Sequence, residues 1–200
     1  SEYDNITVIN SDIMKCNLDE LIENEFNGEK PKVCANLPYY ITTPILSFLI
    51  ESKRFSSITT MIQKEVAERM AAGPGSKTYG ILSVLIQAWY DVEYLFTVEP
   101  GVFNPPPKVR SAVVRLTRNE TTDLGCDEKL FKRLVKTTFN QRRKTLRNNI
   151  KPLLSALEAE STEKPDFTEL LADPIMQKRP EQLSVEDFIN LTLRIQNTTP

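Results

Sequence analysis

The chain has 200 residues, of which 40% are hydrophobic and 26% charged, and its formal net charge is −2. These values are typical of a globular protein with a buried core, and they exclude a disordered or fibrous chain. No apolar run approaches the ~20 residues of a membrane-spanning helix, so we expect a soluble, cytoplasmic protein. The absence of histidine removes the usual general base near neutral pH and the commonest metal ligand.

The cysteines, Cys16, Cys34 and Cys126, lie far apart and form no CxxC pair. Because a metal site of this kind needs closely spaced ligands, we expect no metal. Free cysteine behaves as a small hydrophobic residue, so these thiols are predicted to be reduced and buried.

The first part of the chain alternates between predicted strands and helices. These elements are a strand at 6–9, a helix at 18–24, a strand at 32–36, a helix at 43–51, a strand at 57–62 and a helix at 65–71. Strands separated by helices of this length indicate βαβ units and a mostly parallel sheet. The sequence therefore predicts an α/β fold.

A loop at 73–80, GPGSKTYG, leads into an apolar helix at 81–86. Residues 92–98 and 109–116 then alternate between apolar and polar side chains, as strands do. A proline-rich connection joins these two segments. We expect them to form an antiparallel pair that closes the edge of the sheet.

The β pattern fades near residue 120. The later predicted segments are a linker at 121–127, a helix at 128–139, a basic helical segment at 141–150 and a closing helix at 185–195 with Ser184 as its N-cap. We therefore expect two domains, a partial α/β domain at 1–119 and a small all-helical domain at 120–200.

The segment VCANLPYY, residues 33–40, places an amide, a proline and two tyrosines directly after a predicted buried strand. In an open α/β sheet, ligands bind beyond the carboxyl ends of the strands. The Asn36 side-chain oxygen and the Leu37 carbonyl, directed by Pro38, can both accept hydrogen bonds from one amino group. The Tyr39 ring can stack on the heterocycle that carries this amine. A plain turn, with the tyrosines packed as core residues, is the alternative.

Two acceptors that hold the hydrogens of an aromatic amine favour a pyramidal nitrogen whose lone pair faces an electrophile. Positioning of this kind lowers a reaction barrier by several kcal/mol, up to about 7–11 for well-oriented reactions. It needs no histidine.

Eight basic residues and no acidic residue lie between positions 132 and 151. The polar side chains expected to contact the phosphates of a nucleic acid are Lys136, Gln141, Arg142, Arg143, Lys144 and Arg147. The affinity of such a patch for nucleic acid falls steeply with salt. An ordinary solvated helix face is the alternative.

Residues 36–46, NLPYYITTPIL, resemble the NLPYxIxxPxL signature of the ribosomal RNA adenine dimethyltransferases, which use S-adenosylmethionine. Four more segments resemble blocks of this family, in its order and spacing. They are MIQKEVAERM (61–70), GPGSKTYGILSV (73–84), FNPPPKVRSAVVRL (103–116) and TFNQRRKTLRNNI (138–150). The resemblance covers residues 5–195.

The resemblance implies the C-terminal part of a Rossmann-like methyltransferase sheet, followed by a small helical domain. It implies that Asn36 and the Leu37 carbonyl bind the amine of a target adenine while Tyr39 stacks on the base. Phe103 is similar to a second aromatic residue of the family, which covers the opposite face of the base. By itself, Phe103 would be a core residue before a rigid proline turn.

Asp12 falls where this class of methyltransferase keeps an acidic residue for the adenine of the cofactor, with Ile13 and Asn36 beside it. By itself, Asp12 is equally a helix N-cap. The family's cofactor site begins with a glycine-rich turn after a strand, but Gly73-Pro74-Gly75 follows a predicted helix. We therefore expect most of the S-adenosylmethionine site to lie in a missing N-terminal segment, and this chain to be inactive alone.

These features predict an rRNA adenine N6,N6-dimethyltransferase that acts on two adjacent adenosines of small-subunit ribosomal RNA, as an assembling particle, during ribosome biogenesis. One alternative is the antibiotic-resistance enzyme that methylates large-subunit RNA, although NQRRKTLRN and the closing helices favour the small subunit. Another is a non-catalytic RNA-binding or ribosome-assembly module. Methylation of DNA or of a protein glutamine is disfavoured by NLPY in place of NPPY.

Overall fold

A computed structural model describes residues 5–199 of the chain. Its strands are β1 (Lys32–Asn36), β2 (Ser57–Gln63), β3 (Tyr90–Val98) and β4 (Ser111–Arg118). Its α-helices are α1 (Leu18–Phe26), α2 (Thr42–Ser52), α3 (Lys64–Ala71), α4 (Ile81–Gln87), α5 (Glu128–Phe139), α6 (Leu146–Glu160), α7 (Thr168–Ala172) and α8 (Val185–Thr198).

The strands form one mixed sheet in the order β1-β2-β4-β3. β1 and β2 are parallel, whereas β4 is antiparallel to both β2 and β3. The α/β class and the antiparallel pair are therefore confirmed, and one of the three described strand pairs is parallel. Asn36 lies beside Met61 in the register of β1 and β2, so the carboxyl ends of both strands meet at one edge of the sheet.

One face of the sheet is buried. Alternate residues of its two central strands are at most 1% exposed, namely Ile58, Thr60, Ile62, Ala112, Val114 and Leu116. This period of two is the pattern of a strand with one covered face. The opposite face is more open, since Arg115 of β4 is exposed and Phe96 of β3 is 55% exposed.

Capping residues mark where the helices of the C-terminal part begin. The Asp127 carboxylate accepts a hydrogen bond from the Leu130 N–H, at 2.6 Å, in the first turn of α5. Ser184 caps α8, as the sequence predicts, and forms a reciprocal capping box with Asp187.

The loop at 73–80, between α3 and α4, packs against the C-terminal helices. Its Tyr79 is fully buried, and the ring meets Phe139 of α5 edge-on, with 6.3 Å between centroids. Phe139 in turn packs on Phe188 of α8. Burial, together with the nearby charge of Asp187, raises the pKa of Tyr79 to about 12. A domain boundary near residue 120 stays a prediction. The contact between Tyr79 and Phe139 would then join the two domains.

The predicted strand at 6–9 is wrong. Residues 6–10 form no strand, and Ile6, Val8 and Ile9 are 50%, 81% and 53% exposed. A strand needs hydrogen bonds from a neighbouring strand, and none of the described strands pairs with this segment. The apolar pattern of this segment alone is therefore not sufficient to form a strand.

The predicted burial of the thiols is also wrong, although the three cysteines are free. Cys34 is exposed, while Cys16 and Cys126 are half-buried. Cys34 is exposed because it lies on the open face of β1, whose residues alternate between exposed and half-buried.

The basic segment at 141–150 is only partly helical. Its first residues form a turn, and α6 begins at Leu146. The chain must reverse direction here because α5 and α6 pack against each other. The buried side chain of Asn149 holds this turn in place. Its Nδ2 donates to three backbone carbonyls, those of Thr138 (2.8 Å), Gln141 (3.1 Å) and Lys144 (3.3 Å).

Two further properties of residues 5–199 are relevant to function. No α-helix in this range is long and apolar enough to cross a bilayer. No group of three or more Cys, Asp and Glu side chains in the same range could hold a metal ion.

Candidate active site

An open cleft lies where β1 ends. Its volume is about 280 Å³. The residues that line it come from the segment after β1 and from the proline-rich connection between β3 and β4: Asn36, Leu37, Pro38, Tyr39, Phe103, Pro105 and Pro107. The structure therefore brings all five predicted catalytic residues together around one cleft, although Phe103 is far from the others in sequence.

Two hydrogen-bond acceptors at the end of β1 are free. Among the described residues, neither the Asn36 side chain nor the Leu37 carbonyl takes part in a hydrogen bond, and Asn36 is exposed. The peptide itself is fixed, because the Leu37 N–H donates to the Met61 carbonyl of β2 at 3.3 Å and the Leu37 side chain is buried. A rigid backbone thus presents unpaired oxygens to the cleft.

Pro38 directs the chain out of the strand. Its φ of −60° and ψ of 133° are extended, and a 3-10 turn at Tyr39–Ile41 follows before α2. The Pro38 carbonyl accepts hydrogen bonds from the Ile41 N–H at 3.1 Å and the Thr42 hydroxyl at 3.0 Å. The turn is therefore stabilised from the side of α2, which leaves the preceding Leu37 carbonyl free.

The Tyr39 ring is half-buried in the cleft, and its hydroxyl forms a hydrogen bond with the Ser111 hydroxyl. Ser111 is fully buried at the start of β4. The next tyrosine, Tyr40, is 85% exposed. The alternative in which both tyrosines are core residues is therefore wrong.

Phe103 reaches the cleft from the connection between β3 and β4. It follows a 3-10 turn, in which the Phe103 N–H donates to the Pro100 carbonyl at 3.1 Å. The base of the connection is closed by Arg110, whose Nε lies 3.0 Å from the Glu99 carboxylate. Phe103 is half-buried, and among the described residues its ring forms no aromatic pair with that of Tyr39, so the two rings do not stack on each other.

Asp12 does not line this cleft. It begins a 3-10 turn at Ile13–Lys15 and accepts a hydrogen bond from the Met14 N–H at 3.0 Å, so the structure has the N-cap that sequence alone allowed. Its carboxylate is still 54% exposed. Ile13 is half-buried against the hydrophobic core.

The described residues fit part of an S-adenosylmethionine site. Asp12 and Asn36 offer an exposed carboxylate and an exposed amide, which suit the polar groups of that cofactor. The GxG sequence at Gly73–Gly75 follows α3, not a strand, so it is not the glycine-rich turn that cradles a cofactor in this class of fold. The extent of the cofactor site beyond these residues stays a prediction.

The predicted RNA-binding residues form an exposed cationic surface at and around the turn between α5 and α6. Within residues 5–199, no carboxylate lies within 4.0 Å of the charged nitrogens of Lys136, Arg143, Lys144 or Arg147. Gln141 is exposed beside them. These side chains are therefore available to an anionic partner.

Arg142 is different, because it is used inside the protein. Its Nη2 donates to the Ser76 carbonyl at 3.1 Å, and its Nε lies 4.0 Å from the Glu181 carboxylate. It thus ties the basic turn to the loop at 73–80.

A larger cavity, of about 430 Å³, lies between α2, α4 and α5. Its walls include Leu46, Leu85 and Trp89, and they are mainly apolar. It does not contain the acceptor pair of Asn36 and Leu37. We therefore assign the candidate chemistry to the smaller cleft, where the polar groups converge.

Comparison with known proteins identifies the family. The sequence profile of the family described as "Ribosomal RNA adenine dimethylase" matches residues 1–196. The chain belongs to this family. The cleft at the end of β1 and the basic turn both lie inside the matched range.

Curated relatives agree with this assignment. A protein named "Ribosomal RNA small subunit methyltransferase A" from Bacteroides thetaiotaomicron is 58% identical over 190 residues, which are 94% of this chain and 66% of the relative. A protein of the same name from Phocaeicola vulgatus is 59% identical, over 94% of this chain and 63% of the relative. The chain therefore spans less than two thirds of the length of these relatives.

Solved structures support the fold of the chain. A "dimethyladenosine transferase from Plasmodium falciparum" is 30% identical and has a TM-score of 0.73, over 84% of this chain and 67% of that one. The "23S rRNA methyltransferase ErmE" is 17% identical with a TM-score of 0.52, over 90% of this chain and 79% of that one. At that identity the second likeness shows only that the fold is shared.

Sequence analysis missed some of the residues at the cleft. Pro105 and Pro107 line it, and Ser111 anchors Tyr39 from below. The proline run was visible as a rigid connection, but nothing in it indicated which prolines face the cleft. Ser111 gave no signal, because its partner is 72 positions away.

Proposed function

We propose that the whole protein that carries this chain transfers methyl groups from S-adenosylmethionine to the exocyclic amines of two adjacent adenosines in small-subunit ribosomal RNA. The observation that carries this proposal is the cleft in which the free Asn36 amide and the free Leu37 carbonyl lie with the rings of Tyr39 and Phe103. The names of the curated relatives support the small subunit as the source of the RNA.

In this proposal the target adenine leaves the RNA stack and enters the cleft, since neighbouring bases cover the faces of a stacked adenine and keep it out of the pocket. Asn36 Oδ1 and the Leu37 carbonyl each accept one hydrogen bond from the amine. Tyr39 stacks on one face of the base, and Phe103 covers the other. The nitrogen lone pair is then oriented without a histidine, and the gain is one of positioning.

S-adenosylmethionine, when bound, supplies an electrophilic methyl group on a sulfonium sulfur. Asp12, the Ile13 backbone and Asn36 would hold parts of this cofactor. The rings of Tyr39 and Phe103 exclude water from the amine, and they favour the positive charge that develops on the methylated base.

The basic turn and its neighbours would dock the folded RNA through phosphates, largely by shape. Lys136, Arg143, Lys144 and Arg147 are free of carboxylate partners among the described residues, which suits this role. The substrate in this proposal is an assembling small ribosomal subunit, which the protein would meet in the cytoplasm.

The proposal is tested by the transfer of labelled methyl groups from S-adenosylmethionine. The whole protein is incubated separately with small and large ribosomal subunits whose RNA lacks dimethyladenosine, and the 200-residue chain serves as a comparison. We expect label in two adjacent adenosines of the small-subunit RNA alone. Label only in large-subunit RNA would favour the antibiotic-resistance type of enzyme, and RNA binding without any transfer would favour a non-catalytic module.

A further inference from the structure

A second polar cavity lies between α5 and α6, and we call it the amide pocket. Its volume is about 310 Å³, at the lower end of the range for small-ligand sites, which is about 300–1,000 Å³. The polar residues that line it are Arg133, Thr137, Asn140, Gln141, Asn148 and Asn149. Four side-chain amides thus surround one cavity.

Several polar groups of the amide pocket have no partner in the protein. In the part of the chain that the structure describes, the side chains of Asn140 and Gln141 make no hydrogen bond. Asn149 is only 4% exposed, and its Oδ1 is buried without a hydrogen-bond partner in the same part. A buried acceptor without a protein partner is uncommon in native proteins, and a ligand or an ordered water commonly supplies the hydrogen bond that it lacks.

Helix α6 contains an interior proline and gives the pocket an apolar wall. Pro152 lies inside α6 and has no N–H, so the Asn148 carbonyl lacks the donor that an α-helix normally provides four residues later. Pro152 and Leu153 also line the amide pocket. The pocket therefore combines side-chain amide donors and acceptors with an apolar wall.

The amide pocket is not suited to a phosphate. Its one cation, Arg133, already forms two hydrogen bonds with the Glu160 carboxylate, at 3.0 and 2.9 Å. The hydrogen bond from Arg133 is also the main reason that the pKa of the Glu160 carboxyl lies below its ordinary value. With that charge neutralised, the remaining free groups are neutral donors and acceptors, which match the edge of a nucleobase better than an anion.

A cationic groove adjoins the amide pocket along α5. It has a volume of about 380 Å³ and is lined by Lys129, Lys132, Arg133, Lys136, Thr137 and Asn140. The basic residues recur at the three- and four-residue spacing of one helix face. Lys129 and Lys136 have no carboxylate partner among the described residues, whereas Lys132 pairs with Glu51. Arg133, Thr137 and Asn140 line both cavities.

We propose that the amide pocket binds the edge of an unstacked adenine of the RNA, separate from the target adenine, while the groove along α5 binds the adjoining phosphates. Asn and Gln pair bidentately with adenine, whereas guanine is read by free Arg or Lys and cytosine by Asp or Glu. The pocket offers amides and no free carboxylate, so it selects adenine. Unpaired bases read by side chains are the usual source of sequence preference in RNA binding.

The test uses the chain as it is, and fluorescence anisotropy measures its binding to short single-stranded oligoadenylate, oligouridylate and oligocytidylate. We expect oligoadenylate to bind about five- to one-hundredfold more tightly than the other two. Asn140→Ala and Gln141→Ala should remove most of this preference without loss of fold, because both side chains are exposed. The matched control is Asn190→Ala, an exposed amide on α8 that should change nothing.

Lys136→Ala should weaken the binding of all three RNAs by the same factor and make that binding less dependent on salt, as expected for a phosphate contact. Equal affinity of the wild-type chain for the three RNAs, or no binding of any, would overturn the inference. So would pocket variants that weaken all three RNAs equally. The inference rests on the proposed function only in taking RNA as the ligand. Adenine-selective binding by a protein that transfers no methyl group would therefore leave it standing and overturn the proposed function.

Discussion

The hydroxyl of Tyr39 and the hydroxyl of Ser111 form a hydrogen bond across 72 positions of sequence. Ser111 is fully buried at the first position of β4, whereas Tyr39 lies half-buried in the cleft. The bond therefore ties the outer end of the Tyr39 ring to the central part of the sheet. A ring held in this way is positioned for stacking before any base arrives.

The first prediction concerns this bond. Ser111→Ala removes a contribution of about 0.5–1.5 kcal/mol, so the single-turnover rate of methyl transfer by the whole protein should fall about two- to tenfold. Tyr39→Phe removes the other partner and should have the same effect. The double variant should be no slower than either single variant, because both changes break one bond. Losses that add would contradict the coupling. Ser155→Ala, an exposed serine on α6, is the control.

The second prediction separates two neighbouring arginines of the basic turn. Arg142→Ala should lower the free energy of unfolding by about 1 kcal/mol, because it removes the hydrogen bond to the Ser76 carbonyl. Arg143→Ala should change that free energy by no more than about 0.5 kcal/mol. It should instead weaken RNA binding and reduce the slope of log affinity against log salt by about one. Urea unfolding and RNA titrations at several salt concentrations measure both. The same stability loss in the two variants would contradict the structural role of Arg142.

The third prediction concerns the buried Tyr79. Its hydroxyl has no partner among the described residues, and burial raises its pKa to about 12. Because the phenol of the unfolded chain ionises near pH 10, the folded state should lose stability as the pH rises from about 10 to 12. Tyr79→Phe should leave folding stability unchanged or increase it at pH 7. It should also reduce the loss of stability between about pH 10 and 12.

Urea unfolding at pH 7 and at pH 11 tests this prediction. A loss of more than about 1 kcal/mol at pH 7 in Tyr79→Phe would mean that the hydroxyl has a hydrogen-bond partner.

The fourth prediction concerns S-adenosylmethionine. The described residues offer Asp12 and Asn36 but no glycine-rich turn after a strand, so we expect calorimetry to find weak or undetectable binding of the cofactor to this chain. Asp12→Ala should change little in that measurement. Micromolar binding that Asp12→Ala abolishes would show that the present residues suffice.

The parts of the fold that could be predicted are those with a local signal. The strand predicted at 57–62 forms as β2, and Ser184 caps α8 as its chemistry requires. The strand at 6–9 has the same kind of signal, yet it does not form, because a strand also needs a neighbour that the sequence cannot name. The turn within 141–150 was missed for a similar reason, since its shape depends on Asn149 reaching back to carbonyls at the end of α5 and in the turn itself.

The same contrast between local and long-range signals applies to the candidate site. Asn36, Leu37, Pro38 and Tyr39 are consecutive, so their convergence at a strand end follows from the strand itself. That Phe103 joins them depends on the pairing of β2, β4 and β3, a long-range property that here came only from the family resemblance. The acids that neutralise Lys132, Arg133 and Arg142 come from distant segments, and the local charge pattern gave no sign of them.

The single-turnover rate of methyl transfer by the whole protein carrying Asn36→Ala tests the central claim most directly. Asn36 is exposed and makes no hydrogen bond within the described residues, so the variant should keep its fold, and Asn24→Ala on α1 is the exposed-amide control. The proposed hold on the adenine amine predicts a loss of about 100-fold or more for Asn36→Ala and none for Asn24→Ala. A rate within about twofold of wild type, measured on folded Asn36→Ala protein, would contradict it.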